Sequence, residues 1–305
     1  MANLSVKLGK LKLKNPVLVA SGTFGYGKEL KDLVSPSKLG AVVTKTITQL
    51  PRQGNSMPRT VETPSGLLNS IGLENQGIDQ FLERKIPFLN KLSTQVIVSI
   101  SGQCLKEFRY LVKVLDKQAA VDAIELNISC PNLEKPSGAG LIAQDAKAAY
   151  KLVKAVRRLT KKTLVTKLSP NVTDIVEIAQ AVNDAGSDVL SLINTLYGMS
   201  INLNKRKPSL ANIFGGLSGP AIKPVALYMV YRVASKVKLP IIGMGGIMNT
   251  QDALEFLLAG ATAVAVGTAN FVNPKAASEI IEGINKYLLC NKIKSVKQLT
   301  GALKA

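Results

Sequence analysis

The chain contains no histidine. That absence removes the imidazole of a Ser-His-Asp triad, the Cys-His pair and every His-ligated metal site. Proton transfer must then fall to cysteine, lysine, tyrosine or a carboxylate. Cysteine is scarce too: Cys104, Cys130 and Cys290 are its three thiols. An odd, widely spaced set makes no disulfide framework, and it is one short of the four thiolates that ordinarily hold an iron–sulfur cluster. Any such cluster would have to sit on another polypeptide, and no metal site is expected here. No apolar run reaches the roughly 18–20 residues of a membrane helix, and residues 1–7 lack a signal-peptide core. The expectation is a cytoplasmic protein with no membrane partner. Acidic residues are few, 20 against 39 basic ones, for a net charge of +19. That balance either draws anionic partners or reflects a lysine-rich solvated surface. The lysines are scattered rather than blocked, so the surface reading is preferred and no nucleic-acid partner is expected.

Apolar residues make up 46% of the 305, enough to exclude a disordered chain and to fill one large core. Eight short, mostly apolar runs recur at 16–21, 41–48, 95–101, 123–129, 163–169, 188–195, 240–246 and 263–269. They do not alternate, as befits parallel strands buried on both faces. Helical periodicity fills 79–92, 105–117, 145–159, 173–185, 222–237 and 250–258, with caps expected at Thr173 and Thr250. Eight βα units predict an α/β fold, a (β/α)8 TIM barrel, with an open doubly wound sheet as the alternative. Residues 4–14 alternate about Gly9 and predict an N-terminal hairpin plugging the barrel bottom. Connections 49–77 and 196–219 are too long to be simple and read as functional insertions at the C-terminal rim. No repeat or second domain is visible, so residues 1–305 are expected to be one domain.

Reactive residues in a barrel sit just past the strand ends. Two Gly-rich ends, Gly243-Met244-Gly245-Gly246 and Val266-Gly267-Thr268, let backbone N–H groups approach a phosphate, or simply make tight turns. In the six residues from Gly243 the last is Met248, so the dinucleotide fingerprint fails and NAD is not placed on this chain. Lys45 and Lys167 end two strands at the mouth, where a buried lysine needs an anion. Asn69, Asn127, Asn132 and Asn194 fall at rim positions; each singly reads as a turn residue, while together they suit the amide–imide edge of a small ring. Cys130 ends a strand and precedes loop 132–140, whose Pro136, Gly138 and Gly140 have the composition of a mobile lid. A thiol there, with a pKa of about 8.5 open to lowering by a nearby lysine, reads as a base rather than as an inert buried group. Cys104 and Cys290 lie on helical stretches and read as structural.

With these motifs the chain resembles the class 1 dihydroorotate dehydrogenases, and their B-type catalytic subunits most closely, over almost its whole length. The likeness rests on Asn69-Ser70-Ile71-Gly72-Leu73, Glu125-Leu126-Asn127-Ile128-Ser129-Cys130-Pro131-Asn132, Lys167-Leu168-Ser169-Pro170-Asn171, Leu217-Ser218-Gly219-Pro220-Ala221-Ile222-Lys223-Pro224 and the glycine turn from Gly243. The resemblance implies an FMN-binding barrel that oxidises dihydroorotate to orotate in pyrimidine biosynthesis. It implies flavin contacts at Ser21, Lys45, Thr46, Asn127, Lys167, Ile193, Gly219, Gly245, Gly246, Gly267 and Thr268. At the end of the third strand the family carries asparagine where this chain has Ser99, a shorter hydrogen-bonding group. Pyrimidine contacts are implied at Lys45, Asn69, Ser70, Ile71, Gly72, Leu73, Asn127, Asn132, Asn194 and Thr195. Cys130 is implied as the base at C5 of the substrate, with a hydride leaving C6 for the flavin and Lys167 stabilising the reduced flavin. B-type relatives pass electrons through a partner subunit carrying FAD and a [2Fe-2S] cluster to NAD, with a homodimer at the core of a heterotetramer. The alternatives are an A-type enzyme using fumarate, a dihydropyrimidine dehydrogenase-like or dihydrouridine synthase-like FMN reductase, and a basic barrel that merely binds RNA.

Overall fold

The structure is a computed structural model describing residues 2–129 and 142–304. A hairpin of β1 (Val6–Leu8) and β2 (Leu11–Leu13) opens the chain, followed by β3 (Val17–Val19), β4 (Ala41–Val43), β5 (Thr60–Thr63), β6 (Gly66–Asn69), β7 (Gln95–Ile100), β8 (Ala123–Asn127) and β9 (Thr163–Lys167). Then come β10 (Val189–Leu192), β11 (Leu196–Met199), β12 (Ile201–Asn202), β13 (Lys207–Pro208), β14 (Phe214–Ser218), β15 (Ile241–Gly243) and β16 (Ala263–Val266). The helices are α1 (Gly77–Arg84), α2 (Ile86–Leu89), α3 (Leu105–Asp116), α4 (Ala146–Arg157), α5 (Ile175–Asp184), α6 (Lys223–Ala234), α7 (Thr250–Leu258), α8 (Ala269–Val272) and α9 (Ala276–Cys290).

Each of the eight apolar runs supplies one barrel strand, in the order β3-β4-β7-β8-β9-β10-β15-β16. Parallel pairing of Val264 with Val17 closes the ring, so the open-sheet alternative is excluded. Residues such as Ala263–Val266 are buried throughout because one face meets the barrel interior and the other the helices, which leaves no place for polar alternation. The hairpin does alternate: Val6, Leu8, Leu11 and Leu13 are buried while Lys7 and Lys12 face out. Gly9 turns it at φ +56°, and the Lys10 N–H donates to Thr163 Oγ1 at 3.0 Å. That contact falls at the N-terminal end of β9, so the hairpin sits against the underside of the barrel.

The two rim insertions form one structure. Strands β5 and β6 from the first and β11 and β14 from the second make a four-stranded antiparallel sheet ordered β11-β14-β6-β5, with Gly216 opposite Asn69. Three local expectations need correction. The helical stretch expected at 79–92 is two helices, α1 and α2, because Pro87 sits in the first turn of the second and has no N–H to continue the first. The cap expected at Thr173 is Asp174, which accepts the Val176 N–H at 3.0 Å, and the one expected at Thr250 is Asn249, which accepts the Asp252 N–H at 3.1 Å. In both places a neighbouring Asx carbonyl oxygen reaches the free helix N–H. Among the described residues no helix is long and apolar enough to cross a membrane.

Behind β3, Tyr26 packs its ring 5.8 Å from Phe81, with the Lys85 ammonium 4.7 Å above it. Burial, with the Glu29 carboxylate adding to it, pushes the Tyr26 phenol up to about 12. An unfolded phenol ionises at about 10, so ionisation favours the unfolded chain first. Stability from this group is therefore complete below pH 10 and declines between pH 10 and 12. Denaturant melts across that window should show a steeper loss for the native chain than for Tyr26→Phe; superimposable slopes would remove Tyr26 from the account.

Candidate active site

At the C-terminal ends of the barrel strands lies a cavity of about 330 Å3. Ser21, Lys45, Thr46, Asn69, Ile71, Gly72, Leu73, Asn127, Lys167, Ile193, Asn194, Thr195, Gly219, Gly245, Gly246, Gly267 and Thr268 all line it. These residues come from strand ends and from both rim insertions, so the barrel closure and the rim sheet together assemble the wall. Ser70 and Ser99 are fully buried and do not line the cavity. Cys130, Asn132 and the loop 132–140 lie outside the described residues.

A hydroxyl hub organises one side. Thr46 Oγ1 lies 3.0 Å from Ser21 Oγ and 2.9 Å from Ser99 Oγ, and it accepts from Asn127 Nδ2 at 3.0 Å. Ser99 thus stands behind Thr46 and supports it, which is as far as a serine side chain reaches. The ends of β3, β4, β7 and β8 are tied at one atom, which fixes the rotamers of groups that face the cavity.

The opposite side is held by amides. Asn194 Nδ2 donates to the carbonyl and to the hydroxyl of Ser129, each at 3.0 Å, and so fixes the last described residue before Cys130. Asn171 accepts the Tyr197 N–H at 2.9 Å and donates to the Thr195 carbonyl at 3.0 Å, locking the start of β11 beside β9. The segment 69–73 is clamped by Asn75, whose Nδ2 donates to Leu73 O at 2.7 Å and Thr48 Oγ1 at 2.9 Å. Gly72 and Leu73 both adopt positive φ, +73° and +57°, an uncommon state for leucine that this clamp supports.

Two cations face the cavity. Lys167 is buried, and neither it nor Lys45 has an acidic partner among the described residues. Burying an ammonium without a counter-charge is costly, so Lys167, with the half-buried Lys45 lining the same cavity, marks a place for an anionic ligand. Across the cavity the turn after β15 has the shape a phosphate needs. Gly245 and Gly246 sit at φ +126° and +76°, and a Cβ on either would come within 2.7 Å of a neighbouring side chain. The N–H groups of Gly245 and Gly246 have no acceptor among the described residues. At Gly267 a Cβ would meet only Ala20, at 3.8 Å, so a side chain there would intrude on open cavity instead of protein. N–H donors without acceptors, glycine clearance and two lysines without acidic partners, all among the described residues, together fit a phosphorylated, anionic group.

Sequence reasoning missed several wall residues, among them Thr60, Leu67, Ser218, Ile222 and Met244. Ser218 matters most: its Oγ accepts from Thr268 Oγ1 at 2.8 Å and donates to Leu67 O at 3.2 Å, joining barrel to rim sheet. Its place next to Gly219 was the available signal.

A family model described as dihydroorotate dehydrogenase matches residues 3–288. The protein named dihydroorotate dehydrogenase B (NAD(+)), catalytic subunit, of Geotalea uraniireducens (strain Rf4) is 56% identical over 301 residues, 99% of this chain and 98% of that protein. The protein of the same name from Desulforamulus reducens (strain ATCC BAA-1160 / DSM 100696 / MI-1) is 56% identical over 300 residues, 98% of each chain. That from Thermoanaerobacter sp. (strain X514) is 50% identical over 303 residues, 99% of each.

Proposed function

The chain belongs to the dihydroorotate dehydrogenase family, and from that premise we propose that residues 1–305 form one FMN-binding barrel domain that oxidises dihydroorotate to orotate. The observation that carries this reading is the cavity itself, where Lys45 and Lys167 lack acidic partners among the described residues and, across from them, a glycine turn offers N–H donors with no acceptor among those residues. One anionic group at each end of such a cavity, a flavin phosphate and a substrate carboxylate, matches that charge pattern.

FMN, when bound, supplies the hydride acceptor. Gly245, Gly246, Gly267 and Thr268 hold its phosphate, while Ser21, Thr46, Asn127, Ile193 and Gly219 line the space for the rest. Lys167 supplies a buried cation for the negative charge that arrives with the hydride. Lys45 pairs with the carboxylate of dihydroorotate. Asn69, Asn127, Asn132, Asn194 and Thr195, with the backbone of Ile71 through Leu73, orient the ring so that C5 faces the base. Cys130 Sγ, as thiolate, takes the proton from C5. Asn194 holds Ser129 and with it the approach to Cys130. The chain is the catalytic half of a larger assembly: electrons leave through a partner subunit carrying FAD and a [2Fe-2S] cluster for NAD, and the catalytic chains pair as a homodimer within a heterotetramer in the cytoplasm.

Specificity at the carboxylate tests this reading. Orotate affinity should fall in Lys45→Met by about 2–4 kcal/mol, roughly 30- to 1000-fold in Kd, as read by flavin spectral titration. Binding of uracil, which lacks the carboxylate, should barely change. Equal losses for both ligands would mean that Lys45 holds the site together without reading the carboxylate. Reduction by 5,6-dihydrouracil in preference to dihydroorotate would replace the proposed substrate with an uncharged one.

A further inference from the structure

Lys223 belongs to one of the sequence motifs but not to the cavity wall, and its surroundings show why. It opens α6, and its backbone lies directly beneath the glycine turn: a Cβ on Gly246 would meet Lys223 Cβ at 2.7 Å and Lys223 Cα at 2.9 Å. Its ammonium reaches across to α7, 2.7 Å from Asp252 Oδ1 and 3.0 Å from Glu255 Oε2. Asp252 is buried, and its other oxygen, Oδ2, accepts the Met248 N–H at 2.9 Å. One carboxylate therefore binds the N-terminus of α6 and the far end of the turn 245–248, from within the first turn of α7. Hydrogen bonding to Asp252 raises the Lys223 pKa above the usual lysine value, against burial, which lowers it, and Glu255 adds to the rise. With two carboxylates against it, the Lys223 ammonium is satisfied and is not a phosphate ligand. On this turn the donors left for a phosphate are the backbone N–H groups of Gly245 and Gly246.

We propose that the Asp252–Lys223 pair is a positioning device that holds the turn 245–248 in its phosphate-accepting shape, and so sets the preference for phosphorylated over unphosphorylated flavin. Backbone donors bind an anion well only when their direction is fixed before it arrives. Here the fixing force comes from behind the turn, through Met248 and through the packing of Gly246 on Lys223. Neither Asp252 nor Lys223 lines the cavity, so their loss should act on the phosphate end alone. The inference rests on the flavin reading of the preceding subsection.

The test is a pair of equilibrium titrations, FMN and riboflavin, on the full-length apo-chain and three variants, followed by flavin fluorescence. Native chain should bind FMN far more tightly than riboflavin. Asp252→Ala should weaken FMN by about 10- to 100-fold, the scale of a hydrogen bond to a charged group, while riboflavin changes less than about threefold. Lys223→Met should move in the same direction. Asp252→Asn, which keeps an acceptor for Met248 but not the charge, should fall between and keeps the test open if the alanine variant does not fold. Equal losses for the two flavins, or unchanged FMN affinity in all three variants, would overturn the positioning role. A native chain with no preference for FMN would instead overturn the flavin-phosphate reading, and this inference with it.

Discussion

Replacing Cys130 with alanine should leave FMN bound and slow its reduction by dihydroorotate by about 10²- to 10⁴-fold, the range of general-base catalysis by one positioned side chain. Cys130 carries this expectation because the chain offers no imidazole and because the only other thiols, Cys104 and Cys290, lie exposed and outside the cavity lining. A thiolate base also dictates a pH dependence: reduction should rise with pH as the thiol ionises, then level off, and that limb should vanish in Cys130→Ala. Cys130→Ser should keep the shape of the site but not the rate at neutral pH, since a serine hydroxyl is far harder to ionise. Anaerobic stopped-flow at the flavin absorbance reads all three proteins. Reduction by Cys130→Ala within a few-fold of the native rate would remove Cys130 from the mechanism.

Lys167→Met should be nearly as damaging, for an electrostatic reason. The native lysine is 5% exposed and has no acidic partner among the described residues, so its charge is directed at the cavity in a poorly screened place. Removing a fixed charge of that kind typically costs about 10²- to 10³-fold in rate. Methionine keeps the length and apolar stem, so the barrel wall should persist. The variant should reduce slowly and should also show a lower flavin midpoint potential, because the negative charge gained on reduction loses its partner. A slow variant with an unchanged potential would assign Lys167 to substrate orientation alone.

How far these sites could be read ahead of the structure depended on how local their cause was. The eight barrel strands were legible because burial on both faces writes itself into consecutive residues, as in Ala263–Val266. The glycine turn after β15 was legible for a similar reason: the backbone itself demands glycine where φ reaches +126°. Helix caps were missed by one residue where Thr173 and Thr250 each adjoin an Asx residue that reaches the free N–H. Pro87 signalled its break, but the apolar spacing on either side continued in helical register. The rim sheet was not legible as one sheet, since the pairing of Asn69 with Gly216 joins two insertions far apart in the chain and leaves no local pattern. The same holds for Ser99 behind Thr46 and for Asp252 beneath the glycine turn. Each is a contact between elements whose side chains look ordinary alone. Lys45 and Lys167 were legible as rim cations, but their lack of acidic partners among the described residues is a three-dimensional fact.

The most direct test of the central claim is an anaerobic absorbance scan of the purified chain before and after adding dihydroorotate. Prompt bleaching of an oxidised FMN spectrum, with orotate formed in equal amount, is the expected result. A flavin that stays oxidised in the presence of dihydroorotate would contradict the proposed reaction while leaving the barrel and its cavity as described.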